Sequence, residues 1–358
     1  MEPIRLKSFL ALAAISILAV SAACSSPTTS TVAPATTEAS ATSTPEVGKI
    51  FQNPVIKQDF PDPFILQEGD TFYAYATNSS GRNISLASST DLVHWDLLGD
   101  AMPALPKWAK LTSGLTWAPE VMKIGDKYLM YYTSRDKASD KQCVGVAVSD
   151  KSQGKFKDTN EEPLVCQSEQ GGTIDSSPFR DEDGTLYLYY KNDGNCCGLP
   201  TYIYVQEMAL DGLSLLGEPV QLIHNDQPWE AHVIEAPTMF RHDGKYYLFY
   251  SANDYGGVPY AVGYAICDSP LGPCQKAAEN PILKSDVEDQ KNLVIGPGHQ
   301  TLFQLGDQTW IFYHAWQMRP GGFRGDSRFV WLDRLDWING KPVVKGPTIE
   351  SQPVPQIP

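Results

Sequence analysis

Five times along the chain, apolar positions alternate with polar ones, break at a short polar turn, and resume as a run rich in aromatic residues. The fourth copy shows the pattern clearly: Ile234 to Phe240 leads to Asp243-Gly244, and Tyr246 to Tyr250 follows. Asp-Gly between two alternating apolar runs is a strong local signal for a β-hairpin. The first copy runs from Phe60-Pro61-Asp62-Pro63-Phe64 through Gly69-Asp70 to the run ending at Tyr75. In the second, Trp117-Ala118-Pro119-Glu120 passes through Gly125-Asp126 to the run ending at Tyr132. The third joins Ile174-Asp175-Ser176-Ser177-Pro178 through Asp183-Gly184 to the run ending at Tyr190. The fifth joins Gly298-His299-Gln300-Thr301 through Gly306-Asp307 to the run ending at Tyr313. The turn glycines Gly69, Gly125, Gly184, Gly244 and Gly306 are spaced by 56, 59, 60 and 62 residues. A repeat of that length holds four short strands, one blade of a β-propeller. The pattern predicts an all-β chain folded as a five-bladed β-propeller. A β-sandwich with frequent Gly-Asp turns would leave the polar residue ahead of each hairpin unexplained.

The N-terminal region carries a different pattern. Arg5 and Lys7 precede an apolar run from Phe9 to Val20, and Ser21-Ala22-Ala23-Cys24 follows. A charged start, a short apolar run and small residues form an export signal. The run is too short to span a membrane comfortably. Its end resembles a bacterial lipoprotein signal, which predicts residues 1–23 as the removed leader and Cys24 as the lipidated first mature residue. Simple cleavage and secretion is the alternative. Residues 24–48 are dominated by Ser, Thr, Ala and Pro without apolar periodicity, which predicts a flexible tether. The propeller is expected over 49–350, with 351–358 as a tail. The expected protein is exported, monomeric, and attached to a membrane only through an N-terminal lipid.

Composition adds two constraints. The 358 residues are 42% hydrophobic, enough for a large core, and the net charge is −14. That charge excludes nucleic acid as a partner, since such binding needs a basic surface. Six cysteines follow the tether: Cys143, Cys166, Cys196, Cys197, Cys267 and Cys274. An oxidising compartment permits disulfides among them. Cys267 and Cys274 could close a small loop, Cys143 and Cys166 flank neighbouring strands, and Cys196-Cys197 could form a vicinal bridge. Spacing alone leaves 15 pairings open. Cys/His spacing of the zinc-site type is absent from the sequence.

A propeller arranges the first strand of each blade around one axis. The repeats therefore bring Asp62, Glu120, Asp175, Glu235 and His299 toward one mouth of the channel. Crowded carboxylates separate in pKa, which can divide an acid from a base. Glycoside hydrolysis needs that division. Each residue also has a plainer reading. Asp62 and Asp175 could cap turns, Glu120 could serve a structural ion pair, and His299 could be a satisfied core histidine. Glu235, set between apolar residues, is a poor surface glutamate and a good candidate acid. Glu120 follows its proline whereas Glu235 precedes one, so alternation could place it on another face. Trp117, Trp229 and Trp316 are candidate sugar platforms, with Trp229 favoured by its position just before Glu235.

The motifs Phe60-Pro61-Asp62-Pro63, Ile174-Asp175-Ser176-Ser177-Pro178-Phe179, Glu235-Ala236-Pro237 and Gly296-Pro297-Gly298-His299 together resemble glycoside hydrolase family 43, over residues 51 to 348. The resemblance implies a single catalytic propeller and an inverting hydrolase of arabinose- or xylose-containing glycans. It implies Asp62 as general base, Glu235 as general acid, and Asp175 as the carboxylate that tunes and orients the acid. His299 matches a histidine that lies beside a hydrated calcium ion in some arabinan-active members, so a structural calcium near His299 is expected at most, with no cofactor required. Arg328 matches a substrate-contacting arginine, and Trp117, Glu120, Trp229 and His299 complete the expected substrate contacts. Many members carry a further β-sandwich, and the sequence stops at Pro358. The expected activity is therefore α-L-arabinofuranosidase or arabinanase, with β-xylosidase as the alternative. A non-catalytic carbohydrate-binding propeller is the alternative outside the enzymes.

Overall fold

The computed structural model describes residues 49–112, 114–287, 294–319 and 323–358. The expected leader, Cys24 and the tether lie outside the described residues. Strands dominate, grouped as five small antiparallel sheets, each following chain order from its first strand. Blade 1 holds Phe64–Glu68, Thr71–Ala76, Ser85–Ser89 and Asp96–Asp100. Blade 2 holds Trp117–Ile124, Lys127–Arg135 and Gln142–Ser149. Blade 3 holds Thr173–Arg180, Leu186–Asn192, Tyr202–Met208 and Leu215–His224. Blade 4 holds Ile234–His242, Lys245–Ala252, Ala261–Cys267 and Cys274–Lys276. Blade 5 holds Val294–Leu305, Gln308–Arg319, Phe323–Ile338 and Lys341–Val344. The first strands contact one another in sequence, and the fifth returns to the first. This is a five-bladed β-propeller.

Blade 2 departs from four strands. Its outer edge is held by single bridges, Val144 to Val165 and Val148 to Lys157, and by the Cys143–Cys166 disulfide. The other disulfides join Cys196 to Cys197 and Cys267 to Cys274.

The repeat sets the core. Alternate residues of each strand face opposite sides of the sheet, so each blade packs a different apolar face against each neighbour. Five buried clusters result, one per blade interface. Tyr73 and Tyr75 of blade 1 pack with Met130 and Tyr132 of blade 2. Phe249 and Tyr264 of blade 4 meet Ile311 and Tyr313 of blade 5.

The ring closes between blades 5 and 1. Phe72 and Ala74 pack there with Phe312 and Leu332. Backbone bonds Val55 N–H to Val330 O and Phe60 N–H to Arg328 O lay the chain entering blade 1 along blade 5. Residues 351–358 are not a free tail. Gln352–Pro353 pairs with Ile50–Phe51, and Val354 and Ile357 pack against the closing cluster.

Candidate active site

The inner strands share one local irregularity. Asp62, Ala118, Asp175, Ala236 and His299 have φ of 53°, 43°, 55°, 51° and 50°. Such left-handed backbone is uncommon outside glycine and costs about 1–3 kcal/mol per residue. Asp and His tolerate it best. Ala118 and Ala236 precede prolines, which disfavour ordinary helical backbone at the residue before them. In blades 2 to 5 the inner strand also has two residues opposite one on its partner at this point, which is a β-bulge. A bulge re-aims side chains, and here it turns each strand's start into the channel.

This register corrects the sequence alignment of the five polar residues. Asp62, Asp175 and His299 are equivalent, whereas Glu235 lies one residue before its left-handed position and Glu120 lies two after. Trp117, not Glu120, is the blade 2 counterpart of Glu235.

In blades 1, 4 and 5 a side chain just past the second strand's aromatic run supports the next inner strand. Thr77 donates from Oγ1 to Asp62 Oδ2 at 2.5 Å and accepts from Ala118 N–H at 2.8 Å. Ser251 Oγ accepts from His299 N–H at 2.8 Å. His314 Nδ1 accepts from Asp62 N–H at 3.1 Å, linking the last blade to the first. Burial pushes the His314 imidazole down to about 4. The neutral ring accepts at Nδ1 and carries its proton on Nε2, which has no hydrogen-bond partner among the described residues.

Asp62, Asp175, Glu235, His299, Arg328 and Trp117 line one cavity of about 460 Å³. Asp62 is the ionised member. Burial alone would raise its carboxyl, but Arg328 and His299 outweigh burial and hold it well below the usual carboxylate range. Arg328 Nη1 donates to Oδ1 at 2.8 Å, and His299 Nδ1 lies 3.4 Å from the same oxygen.

Glu235 has the opposite balance. Burial pushes its carboxyl up, Lys191 opposes this, and Asp175 adds to it. Its Oε1 accepts from Tyr260 OH at 2.7 Å, and its Oε2 lies 3.5 Å from Lys191 Nζ. Asp175 is also raised by burial, against the pull of His299 and Lys191. Its Oδ2 accepts from Ala236 N–H at 3.0 Å, which ties it to the residue after Glu235.

The other expected site residues divide. Arg328 lies in the cavity, its guanidinium over the Tyr255 ring at 5.0 Å and the Trp316 ring at 5.8 Å. Trp316 is buried and donates to Tyr255 O, so it backs the wall and presents no platform to a sugar. Trp117 lines the cavity and donates to Gly114 O. Trp229 does not line it. Its ring packs 5.6 Å from Tyr250, its Nε1 donates to Gln227, and it borders a separate groove of about 640 Å³. A residue six positions ahead of Glu235 thus packs into the blade 3–blade 4 interface. Glu120 also lies outside the cavity wall. Burial pushes it up to about 8, with Ser177 as hydrogen-bond partner and Asp175 as a repelling neighbour.

Lys191, Asp193, Asn195, Tyr260 and His314 were not legible as site residues. Asp193 and Asn195 line the cavity beside Cys196. Burial pushes Asp193 up to about 6. Lys191 and His314 had one signal: each follows the aromatic run at the position held by Thr77, Thr133 and Ser251. Tyr260 had none.

Among the described residues, no three His, Cys, Asp or Glu side chains converge as metal ligands. His299 Nδ1 already faces Asp62. The chemistry below uses no ion.

A propeller cavity that pairs a strongly ionised carboxylate with a proton-retaining one has the equipment of a glycoside hydrolase. The chain belongs to glycosyl hydrolases family 43, which its residues 51–342 match. It is similar to a thermostable family-43 glycoside hydrolase of known structure, with 35% identity, a TM-score of 0.76, and coverage of 86% of this chain and 99% of that one. A β-D-galactofuranosidase of Aspergillus niger is 26% identical over 302 residues, 79% of this chain and 81% of the relative. A probable arabinan endo-1,5-α-L-arabinosidase A of Aspergillus oryzae is 23% identical over 303 residues, 79% and 90% of the two chains.

Proposed function

We propose that this hydrolase cleaves arabinose-containing plant glycans, as an α-L-arabinofuranosidase or arabinanase, by an inverting mechanism. The supporting observation is the opposed environment of two carboxyls in one cavity. Asp62, kept ionised by Arg328 and His299, takes a proton from water as the water oxygen bonds to the anomeric carbon. Glu235, kept proton-retaining by burial, donates its proton to the glycosidic oxygen as the carbon–oxygen bond breaks. The products are a sugar of inverted anomeric configuration and a free alcohol on the leaving sugar. Asp175 repels the Glu235 carboxylate and holds Ala236, so it tunes and orients the acid. Arg328, Trp117 and His299 line the same cavity, which supports a role for them in contacting the bound sugar.

The arabinose reading draws on the arabinan-directed relative, and the galactofuranosidase relative makes β-D-galactofuranosides the comparison to include. Hydrolysis of nitrophenyl α-L-arabinofuranoside, β-D-xyloside and β-D-galactofuranoside should be measured alongside linear arabinan. Highest kcat/KM on the arabinosyl substrates is expected, and preference for the xyloside would replace this reading. Glu235→Gln should lose roughly 10²-fold or more on glycan. The loss should be smallest on nitrophenyl glycosides, whose leaving groups need little protonation. Undiminished activity on glycan would remove Glu235 from the acid role. Proton NMR of the first product should show the inverted anomer.

A further inference from the structure

The position just past the aromatic run of each blade's second strand is occupied by Thr77, Thr133, Lys191, Ser251 and His314. At three of these, the side chain bonds a backbone N–H of an inner strand in an adjoining blade. A hydroxyl suffices for that link. Blade 3 instead places a lysine there, with no exposed side-chain surface. A buried ammonium is costly unless it is paired and hydrogen-bonded. Its Nζ donates to Asn195 Oδ1 at 2.7 Å and stands 3.5 Å from Glu235 Oε2. Tyr260 holds the other oxygen of the same carboxyl.

We propose that Lys191 is a positioning residue for the acid: its ammonium fixes the Glu235 carboxyl from one side, as Tyr260 does from the other, and fastens Asn195 to that carboxyl as part of the cavity wall. The inference rests on Glu235 being the proton donor.

Three observations carry it. Lys191 bridges the acid and a wall residue, and the wall is itself anchored. Asn195 sits in a short turn, Gly194–Cys197, which ends in the Cys196–Cys197 bridge. Asn192 donates from Nδ2 to both Gln170 O and Pro200 O across the base of that loop. The turn therefore holds Asn195 over the same opening that Glu235 serves. Finally, the cation gains most once Glu235 has given up its proton, because a carboxylate then stands beside it. Lys191 thus favours the state that follows proton donation. The other groups facing Glu235 are Asp175, Tyr260 and His299, with Asp193 beside Lys191. Of these, Asp175 and Asp193 disfavour the carboxylate, and Lys191 is the largest influence favouring it, ahead of Tyr260 and His299.

The test is the pH profile of kcat/KM for Lys191→Met, on the best nitrophenyl glycoside and on linear arabinan. With the cation gone, Glu235 keeps its proton to higher pH, so the alkaline limb should move up. The rate on arabinan should fall about tenfold or more, and the loss should shrink on the nitrophenyl substrate. Lys191→Arg should restore part of both. An alkaline limb that stays in place in a folded Lys191→Met protein would reduce Lys191 to a structural role. Asn195→Ala, at an exposed position, gives a second reading where Lys191→Met does not fold. Losing the competing acceptor leaves Lys191 to Glu235 alone, so the limb should move down, and an unmoved limb there also overturns the proposal. Glu235→Gln is run in parallel. Full activity of that variant on glycan overturns the acid assignment itself, whereas its expected leaving-group dependence beside an unmoved Lys191→Met limb overturns only the role of Lys191.

Discussion

Arg328 donates from Nη1 to Asp62 Oδ1 at 2.8 Å, across the seam where the fifth blade meets the first. The two residues are 266 positions apart, so ring closure and the state of the proposed base are coupled. After burial, which acts the other way, Arg328 is the largest influence on the Asp62 carboxyl and lowers it. A base must be ionised to accept a proton, so activity is lost as pH falls through its pKa. Arg328→Gln removes the cation and raises that pKa. The acidic limb of kcat/KM should therefore move to higher pH, with an added rise in KM if Arg328 also contacts sugar. A limb that does not move would show that His299 and His314 maintain the base without Arg328.

Asp175 acts on the other limb. Its charge raises the Glu235 carboxyl, second to burial among the raising influences. Asp175→Asn replaces that charge with a neutral amide of similar shape. Glu235 then loses its proton at lower pH, and the alkaline limb of kcat/KM should move down. The rate on glycan should fall as well, by roughly 10²-fold, because fewer molecules hold the donor proton and Ala236 loses a charged acceptor. A fall in rate with both limbs unmoved would limit Asp175 to orienting the acid.

The fold was legible because a propeller writes its repeat into the sequence: turn, aromatic run and spacing recur with each blade. The positions of Asp62 and Asp175 were legible for the same reason. Register was not read to the residue. In four copies the left-handed residue lies seven places before the first turn residue: Asp62 before Gly69, Ala118 before Gly125, Ala236 before Asp243, and His299 before Gly306. Blade 3 has a longer loop between Arg180 and Leu186, which shifts Asp175 by one. Counting back from the turn would have separated Glu120 and Glu235 from the aligned set. Trp229 shows a different limit. Nearness to Glu235 along the chain does not fix which side of a blade a loop residue packs on, and the apolar contact with Tyr250 decided it. The partners of Glu235 come from separate strands and loops, so Tyr260 could not have been found by any local pattern.

Glu120 provides a test on stability in place of substrate binding. Burial raises its carboxyl to about 8, against about 4.3 in an unfolded chain. Between those values the unfolded chain releases a proton that the folded protein retains, so stability falls as pH rises. Glu120→Gln removes that proton difference. Its Tm should vary less between about pH 4.5 and 8 than that of the parent protein. KM on glycan should change little, since Glu120 lies outside the cavity wall. A large rise in KM would return Glu120 to the substrate.

The C-terminal residues should matter to the whole ring. Gln352 donates from Nε2 to Leu332 O at 3.1 Å and to Asp333 Oδ1 at 2.9 Å. Asn53, from the chain entering blade 1, donates to the same carbonyl at 2.9 Å and to the same carboxylate oxygen at 3.2 Å. Both ends of the propeller thus meet on the third strand of blade 5. Asp333 is fully buried, and burial pushes it up to about 6. Its remaining oxygen accepts from Tyr313 OH at 2.5 Å. Removing residues 352–358 would strip a donor from a buried carboxyl and uncover Val354 and Ile357. Asn53 still serves both acceptors, so each lost hydrogen bond costs about 0.5–1.5 kcal/mol, and the lost apolar burial adds to it. For a domain of this size that corresponds to a Tm lower by several degrees, at about 2–4 °C per kcal/mol. The truncated protein should also open first at the blade 5–blade 1 seam. Hydrogen exchange would report this as early loss of protection at Val55, Phe60 and Leu332, ahead of the strands of blades 2 and 3. An unchanged Tm would mean that the ring is held by its apolar clusters alone.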